Sequence, residues 1–172
     1  MTHNSELEAE QAYIDHAYEC LERTRRAALG AKDLVENGPG GTFQARFERE
    51  ALLENAANRL AQLDLGDQSL CFGRIDQAGG DRFYIGRLAV SDEAKEPVVV
   101  DWRAPVAEAF YRATGREPMG LARRRHFASQ GRVLRGLEDE FFGEAAAELD
   151  EGRVQGQGAL IAALGEARSG KR

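Results

Sequence analysis

Asp101, Trp102 and Arg103 stand side by side at the end of the apolar run Val98-Val99-Val100, and Pro105 stops the strand behind them. An acid, the only tryptophan and a guanidinium at one strand end can serve in two ways. They can form an ion pair within the sheet, with the indole covering the end of a barrel, or they can anchor another domain through polar contacts. A second charged constellation is Arg123-Arg124-Arg125-His126-Phe127. On a strand, Arg123 and Arg125 share one face and Arg124 takes the other. Together with Arg132 and Arg135 they form a basic surface that fits nucleic-acid phosphate or an acidic protein patch, or that guards an edge strand against aggregation. Phe127 is the one aromatic residue in this row, so base stacking is not indicated.

The remaining arrangements point away from self-contained catalysis. Gly165-Glu166-Ala167-Arg168-Ser169-Gly170-Lys171 has the spacing of a phosphate-binding loop as far as the lysine. Arg172 stands where a magnesium-binding Ser or Thr belongs, and the preceding segment reads as helix, not strand. A helix end capped by glycine is the expectation there. His3, His16 and His126 lack metal-ligand spacing. Asp101, His126 and Ser129 lack the nucleophile elbow that a hydrolytic triad needs. Cys20 and Cys71 fall in different units with no ligand partner. No catalytic, cofactor-binding or metal residues are therefore expected.

The elements that must position these residues can be read from charge and periodicity. The chain has 172 residues and a net charge of −6, which disfavours a global polyanion-binding role. The charge is uneven: residues 1–64 carry 12 acids against 7 basic residues, whereas residues 121–136 carry five arginines and no acid. Two surfaces facing different partners are implied. The polar, acidic N-terminus is unlike a signal peptide, and no apolar run approaches the roughly 20 residues that span a bilayer. A cytoplasmic location and no membrane contact are the expectation.

From Ser5 to Asn37 the sequence reads as one long helix. Leu7, Ile14, Leu21, Ala28 and Val35 recur every seven residues, with Ala17, Thr24 and Ala31 three after the middle members. That is a heptad seam with small residues at its second position. Asn37-Gly38-Pro39-Gly40-Gly41 breaks the helix. Thr42 can cap a second one, which runs from about Phe43 to Leu63. The pair makes an antiparallel hairpin over residues 5–64, whose distal half cannot bury a core of its own. Strands are expected at Leu70–Ile75, Arg82–Val90, Pro97–Trp102, Leu121–Phe127 and Gln130–Gly136. Ala107–Ala113 suits helix by its Ala and Glu and strand by its Phe110-Tyr111. Glu138–Leu149 and Ala159–Ala167 read as helices. The fold class is α+β: a long antiparallel coiled-coil hairpin, a small mostly antiparallel β-rich domain over residues 68–136, and short C-terminal helices over 137–172.

Several short motifs stand in a fixed order along this frame. They are Glu10-Gln11-x-Tyr13, Phe72-Gly73-Arg74-Ile75-Asp76, Tyr84-Ile85-Gly86-Arg87, Val100-Asp101-Trp102-Arg103-Ala104-Pro105, Phe110-Tyr111-Arg112-Ala113-Thr114 and Arg123-Arg124-Arg125-His126-Phe127. Set behind a helical hairpin, this series resembles the N-terminal part of the HelD family, the bacterial superfamily 1 UvrD/Rep-like ATPases that bind RNA polymerase. The resemblance implies that the hairpin enters the secondary channel of RNA polymerase and that the β-rich segment joins it to the first motor lobe. The larger proteins use ATP to recycle stalled polymerase. Their glutamine motif and phosphate loop belong beyond Lys171, so the resemblance assigns ATP and magnesium to the full-length family. This chain alone is then expected to be non-catalytic. The partner contact is expected in the hairpin's distal half, at Lys32, Asn37, Pro39, Phe43 and Arg46, with Asp101, Trp102 and Arg103 as a structural junction. Two other readings stay open: a nucleic-acid-binding accessory module using Arg123, Arg125, Arg132 and Arg135, and an inactive truncated helicase remnant.

Overall fold

A computed structural model describes residues 2–36 and 43–149. Helix α1 spans Thr2–Glu36 and helix α2 spans Phe43–Gln62. Six strands come next: β1 Cys71–Gln77, β2 Arg82–Gly86, β3 Val90–Ser91, β4 Pro97–Asp101, β5 Leu121–Gln130 and β6 Val133–Phe141. A 3-10 turn at Pro105–Ala107 leads into the short helix α3, Glu108–Arg112. Within Ala107–Ala113 the helical option therefore holds, with Ala113 already extended. Residues 143–149 are helical as well.

The strands form one open sheet in the order β3-β4-β2-β1-β5-β6. All pairings are antiparallel except β2 with β4, which is parallel. The sheet is therefore mixed, mostly antiparallel as expected, and has six strands where five were expected. The expected strand Arg82–Val90 divides at Gly86. A Cβ at Gly86 would lie 2.2 Å from the Leu70 carbonyl oxygen. The backbone turns away there, with Arg87 N–H donating to Leu70 O at 2.9 Å and Trp102 N–H donating to Gly86 O at 2.8 Å.

The largest departure is at the end of the sheet. Residues 138–141, expected to open a helix, continue β6. Each of the acids meets a basic residue of β5: Arg124 pairs with Glu140, Arg125 with Asp139 and His126 with Glu138. Opposite charges on facing strands stabilise the pairing and override the helix preference of the acidic run.

Two layers cover the sheet. On one face α1 packs Ile14, Ala17, Tyr18 and Leu21 against Leu70, Tyr84, Val99 and Phe127. On the other, Ala109, Phe110 and Phe142 close over Ile75, Ile85 and Leu121. Phe110 sits so close to β1 that a Cβ at Gly73 would come within 2.2 Å of its ring. Only glycine lets this helix settle there. Arg124 reaches the same face and donates to the carbonyls of Phe110 (3.1 Å) and Ala113 (2.9 Å), capping α3. Because the sheet is open, Trp102 covers no barrel end.

Beyond Leu21, α1 leaves the sheet and is accompanied by α2. Arg25 donates from Nε to Leu63 O at 2.9 Å, so the end of α2 is fastened to the middle of α1. Ala45, Arg49, Leu53, Ala56 and Leu60 are the half-buried stripe of α2, while Arg25, Ala28, Lys32 and Val35 are that of α1. Of the expected seam positions, Thr24, Ala28 and Val35 are half-buried and Ala31 is exposed, Lys32 being half-buried in its place. Among the described residues α2 fully buries none of its side chains.

Candidate functional site

The first half of α1 is held to the sheet by charge. Glu10 is 3% exposed, Arg74 3% and Arg125 2%. Glu10 Oε2 accepts from Arg74 Nη1 at 3.0 Å and from Arg125 Nη1 at 3.2 Å. Its Oε1 accepts from the Tyr84 hydroxyl at 2.5 Å. Each buried arginine also makes a two-pronged contact: Arg74 to Asp76 at 2.9 and 2.8 Å, and Arg125 to Asp139 at 2.7 and 2.8 Å. Arg123 Nε joins Asp76 at 3.0 Å, Arg82 approaches the same carboxylate at 3.3 Å, and Glu6 meets Arg125 at 3.2 Å. Four arginines and four carboxylates thus neutralise one another between helix and sheet. Among the described residues every buried side-chain nitrogen or oxygen has a hydrogen-bond partner. A satisfied network of this kind fixes orientation, whereas a partial one would be costly.

The protonation states are set by these neighbours. Burial pushes the Asp76 carboxyl up, but the guanidinia of Arg74 and Arg123 outweigh it and hold the group below the usual carboxylate range. Asp139 is lowered in the same way, burial being overcome by Arg125 and then Arg123. The Asp139 hydrogen bond raises Arg125. Burial, together with the hydrogen bond to Glu10, raises the Tyr84 phenol. Every member of the network is paired with another, so the cluster locks the helix to the sheet.

Two neighbours of Glu10 extend the lock across the sheet. The Gln11 carboxamide accepts from Leu134 N–H at 2.6 Å and donates to Arg132 O at 2.9 Å, taking the place of a paired strand at the start of β6. Tyr13 stacks on Tyr84 with ring centroids 3.7 Å apart, and its hydroxyl donates to Val98 O at 2.8 Å. Glu10, Gln11 and Tyr13 therefore grip β1 and β5, β6, and β4 respectively. Burial raises the Tyr13 phenol to about 12.

The residues expected to form a basic surface divide. Arg123 and Arg125 do share a face, but it is the face under α1, and both are ion-paired there. Arg125 offers nothing to a phosphate. Arg132 lies 4.4 Å over the Tyr18 ring and pairs with Glu22 at 2.8 Å. Arg135 is exposed and bonds to Gln130 at 3.2 Å. The continuous basic row is thus reduced to two exposed residues, one of them paired. His126 stays half exposed beside Glu140 at 3.5 Å.

At the junction, Asp101 and Arg103 form a two-pronged pair at 3.0 and 2.8 Å, and the Arg103 hydrogen bond lowers the Asp101 carboxyl. Trp102 is 46% exposed and meets Tyr111 edge-on at 6.3 Å. Of the expected partner-contact residues, Phe43 is 81% exposed, Arg46 is exposed, and Lys32 is half-buried beside Glu36 at 3.8 Å. Asn37 and Pro39 lie outside the described residues, as do the expected helix at Ala159–Ala167 and the glycine-lysine tail. Sequence reasoning missed the exposed Leu29, Leu34, Phe47 and Leu52 of the same arm. It gave no role to Glu6, Arg74, Asp76 or Asp139. The complementary triplets Arg123-Arg124-Arg125 and Glu138-Asp139-Glu140 were the available signal for the last of these.

Four of the motifs, those holding Glu10, Arg74, Tyr84 and Arg125, are thus the parts that fasten a helical arm to a sheet. No curated protein matches this chain. The N-terminal domain of DNA helicase IV HelD matches over residues 7–155, which takes in both halves of the arm and every strand. The chain belongs to the HelD N-terminal domain family.

Proposed function

We propose that this chain is the polymerase-docking portion of a HelD-type protein, and that the α1–α2 arm enters the secondary channel of RNA polymerase. One observation carries the reading. The arm leaves a base that charge has locked, and it presents large apolar side chains outward along its distal half. Phe43 and Phe47 lie one turn apart on α2, 81% and 65% exposed, and Leu34 on α1 is 79% exposed. A helical pair that buries so little of itself is suited to a partner that covers it. The fixed base gives the arm a defined direction before it binds, which lowers the ordering cost of docking.

In this reading the chain acts by shape and does not hydrolyse ATP alone; ATP and magnesium belong to motor lobes of larger relatives. Nucleic-acid binding through residues 123–135 is disfavoured by the inward pairing of Arg123 and Arg125. The test is capture of purified bacterial RNA polymerase by the 172-residue chain, by a chain lacking residues 30–50, and by Phe43→Ser/Phe47→Ser. Capture by the intact chain and loss in both variants is expected. Capture that survives both changes means that the arm is not the contact. Capture by none of the three means that this chain is insufficient for binding.

A further inference from the structure

We propose that Arg132, Glu22 and Arg25 form a releasable clasp on α2, which makes α2 a strap that opens from the arm while the base stays locked. The clasp runs through three elements. Arg132, in the turn between β5 and β6, donates from Nη2 to Glu22 Oε1 at 2.8 Å. The same oxygen accepts from Arg25 Nη1 at 3.3 Å. Arg25 in turn donates from Nε and Nη2 to the Leu63 carbonyl at 2.9 and 2.5 Å. That carbonyl stands at the end of α2, where no further turn supplies a donor. A guanidinium on one helix therefore caps the other, and a turn of the sheet holds that guanidinium in place. Arg132 is itself seated, 4.4 Å over the Tyr18 ring, with its carbonyl accepting from Gln11 Nε2 at 2.9 Å.

Two grades of attachment separate the strap from the base. In the lock, the side chains of Glu10, Arg74 and Arg125 are 4%, 4% and 2% exposed. In the clasp, those of Arg25, Glu22 and Arg132 are 25%, 38% and 58% exposed. Ion pairs open to water are weak and are readily exchanged for hydration. Leu63 lies in the core with Leu21 and Leu70, but none of the residues Phe43–Gln62 is buried. A segment with few buried contacts that is fastened through one end is the kind that opens first in a folded protein. Opening about Leu63 uncovers the half-buried stripes of the two helices, with Val35 on α1 and Leu53 and Leu60 on α2. The clasp thereby governs how much apolar surface the arm offers. It rests on contacts within the chain and is independent of polymerase binding.

Hydrogen–deuterium exchange of the full chain, followed by mass spectrometry, reads the opening directly. In Arg25→Ala the amides of residues 43–62 should exchange about tenfold faster, the scale of a lost hydrogen bond from a charged group. Arg132→Ala should act in the same direction by about threefold, as for an exposed pair. Both variants should leave the amides of residues 7–21, β1 and β5 at wild-type rates. Arg23→Ala removes a neighbouring arginine of α1 that pairs with Glu93 at 3.3 Å, outside the clasp, and should leave α2 unchanged. Unchanged exchange over residues 43–62 in Arg25→Ala would overturn the proposal. An equal rise across α2 and β1 would overturn it as well, since the whole fold would then be loosened. Arg132→Ala indistinguishable from Arg23→Ala would remove the sheet from the clasp and overturn it in this form. No polymerase enters the measurement, so the docking reading stands or falls separately.

Discussion

Helix α1 is one continuous element with two unlike halves. Between Glu6 and Leu21 it sends Glu10, Ile14, Ala17, Tyr18 and Leu21 into the sheet, and each of these five is almost wholly buried. Between Arg26 and Glu36 none of its residues is buried, and Leu29 and Leu34 face solvent. The backbone is the same; the difference lies in what surrounds it. Position along the helix decides whether a side chain holds the molecule together or is offered to something else. Substitutions in the two halves should therefore separate stability from binding.

The base should yield the largest effect. Glu10→Ala leaves the Arg74 and Arg125 guanidinia and the Tyr84 hydroxyl without their shared acceptor. Removing one partner from a buried ionic cluster costs about 3–5 kcal/mol. Urea denaturation of the full chain measures it, and a loss below about 1 kcal/mol, the scale of a surface pair, would mean that the lock is ornamental. On the opposite face of the sheet the corresponding test is Gly73→Ala. The new methyl would overlap the Phe110 ring, and overpacking of this kind costs about 1–3 kcal/mol. The same denaturation curve checks it, with Gly79→Ala as a control, since a Cβ at Gly79 meets nothing within 4 Å.

Acid should undo the base in a definite window. Asp76 and Asp139 titrate lower in the folded protein than their ordinary value of 3.8. Between the folded and unfolded values the unfolded chain binds more protons, so stability falls as pH falls. The contribution of the two groups is complete above their unfolded pKa and drains away as pH drops through the folded one. Midpoints of urea unfolding measured from about pH 6 to about pH 2.5 should be level at first and then decline. Asp139→Asn should be less stable at the upper end of that range and show a shallower decline. A decline of unchanged slope in that variant would assign the acid sensitivity to other carboxylates.

These contrasts explain what could be read from the residues. The heptad of Leu7, Ile14 and Leu21 exposed α1 at once, because apolar spacing on a helix is local. In the arm, the half-burial of Arg25 and Lys32 was not legible, because a basic residue does not register as apolar. The length of β6 was hidden because Glu138, Asp139 and Glu140 are ordinary helix residues in isolation. For Asp139 and Glu140 the role depends on arginines 14 and 16 residues earlier in the chain, which only the pairing brings beside them. The lock was hidden for the same reason: Glu10 and Arg125 are 115 residues apart. The exposed arm residues were partly legible, since a two-helix hairpin of that length cannot cover itself.

The arm supplies the smallest effect on stability and the sharpest test of the comparison. Phe43→Ser/Phe47→Ser removes two rings that already face solvent, so unfolding free energy should move by no more than about 0.5 kcal/mol. Capture of RNA polymerase should be lost nonetheless. A variant that unfolds as readily as the base mutants would show that the rings stabilise the arm, which their exposure argues against. A variant as stable as the wild type that still captures polymerase would move the contact off this face of α2. Equal stability with lost capture leaves one explanation: the fold rests on the locked half of α1 and the contact on the distal arm at α2, and the lock at Glu10 lets the two be changed apart.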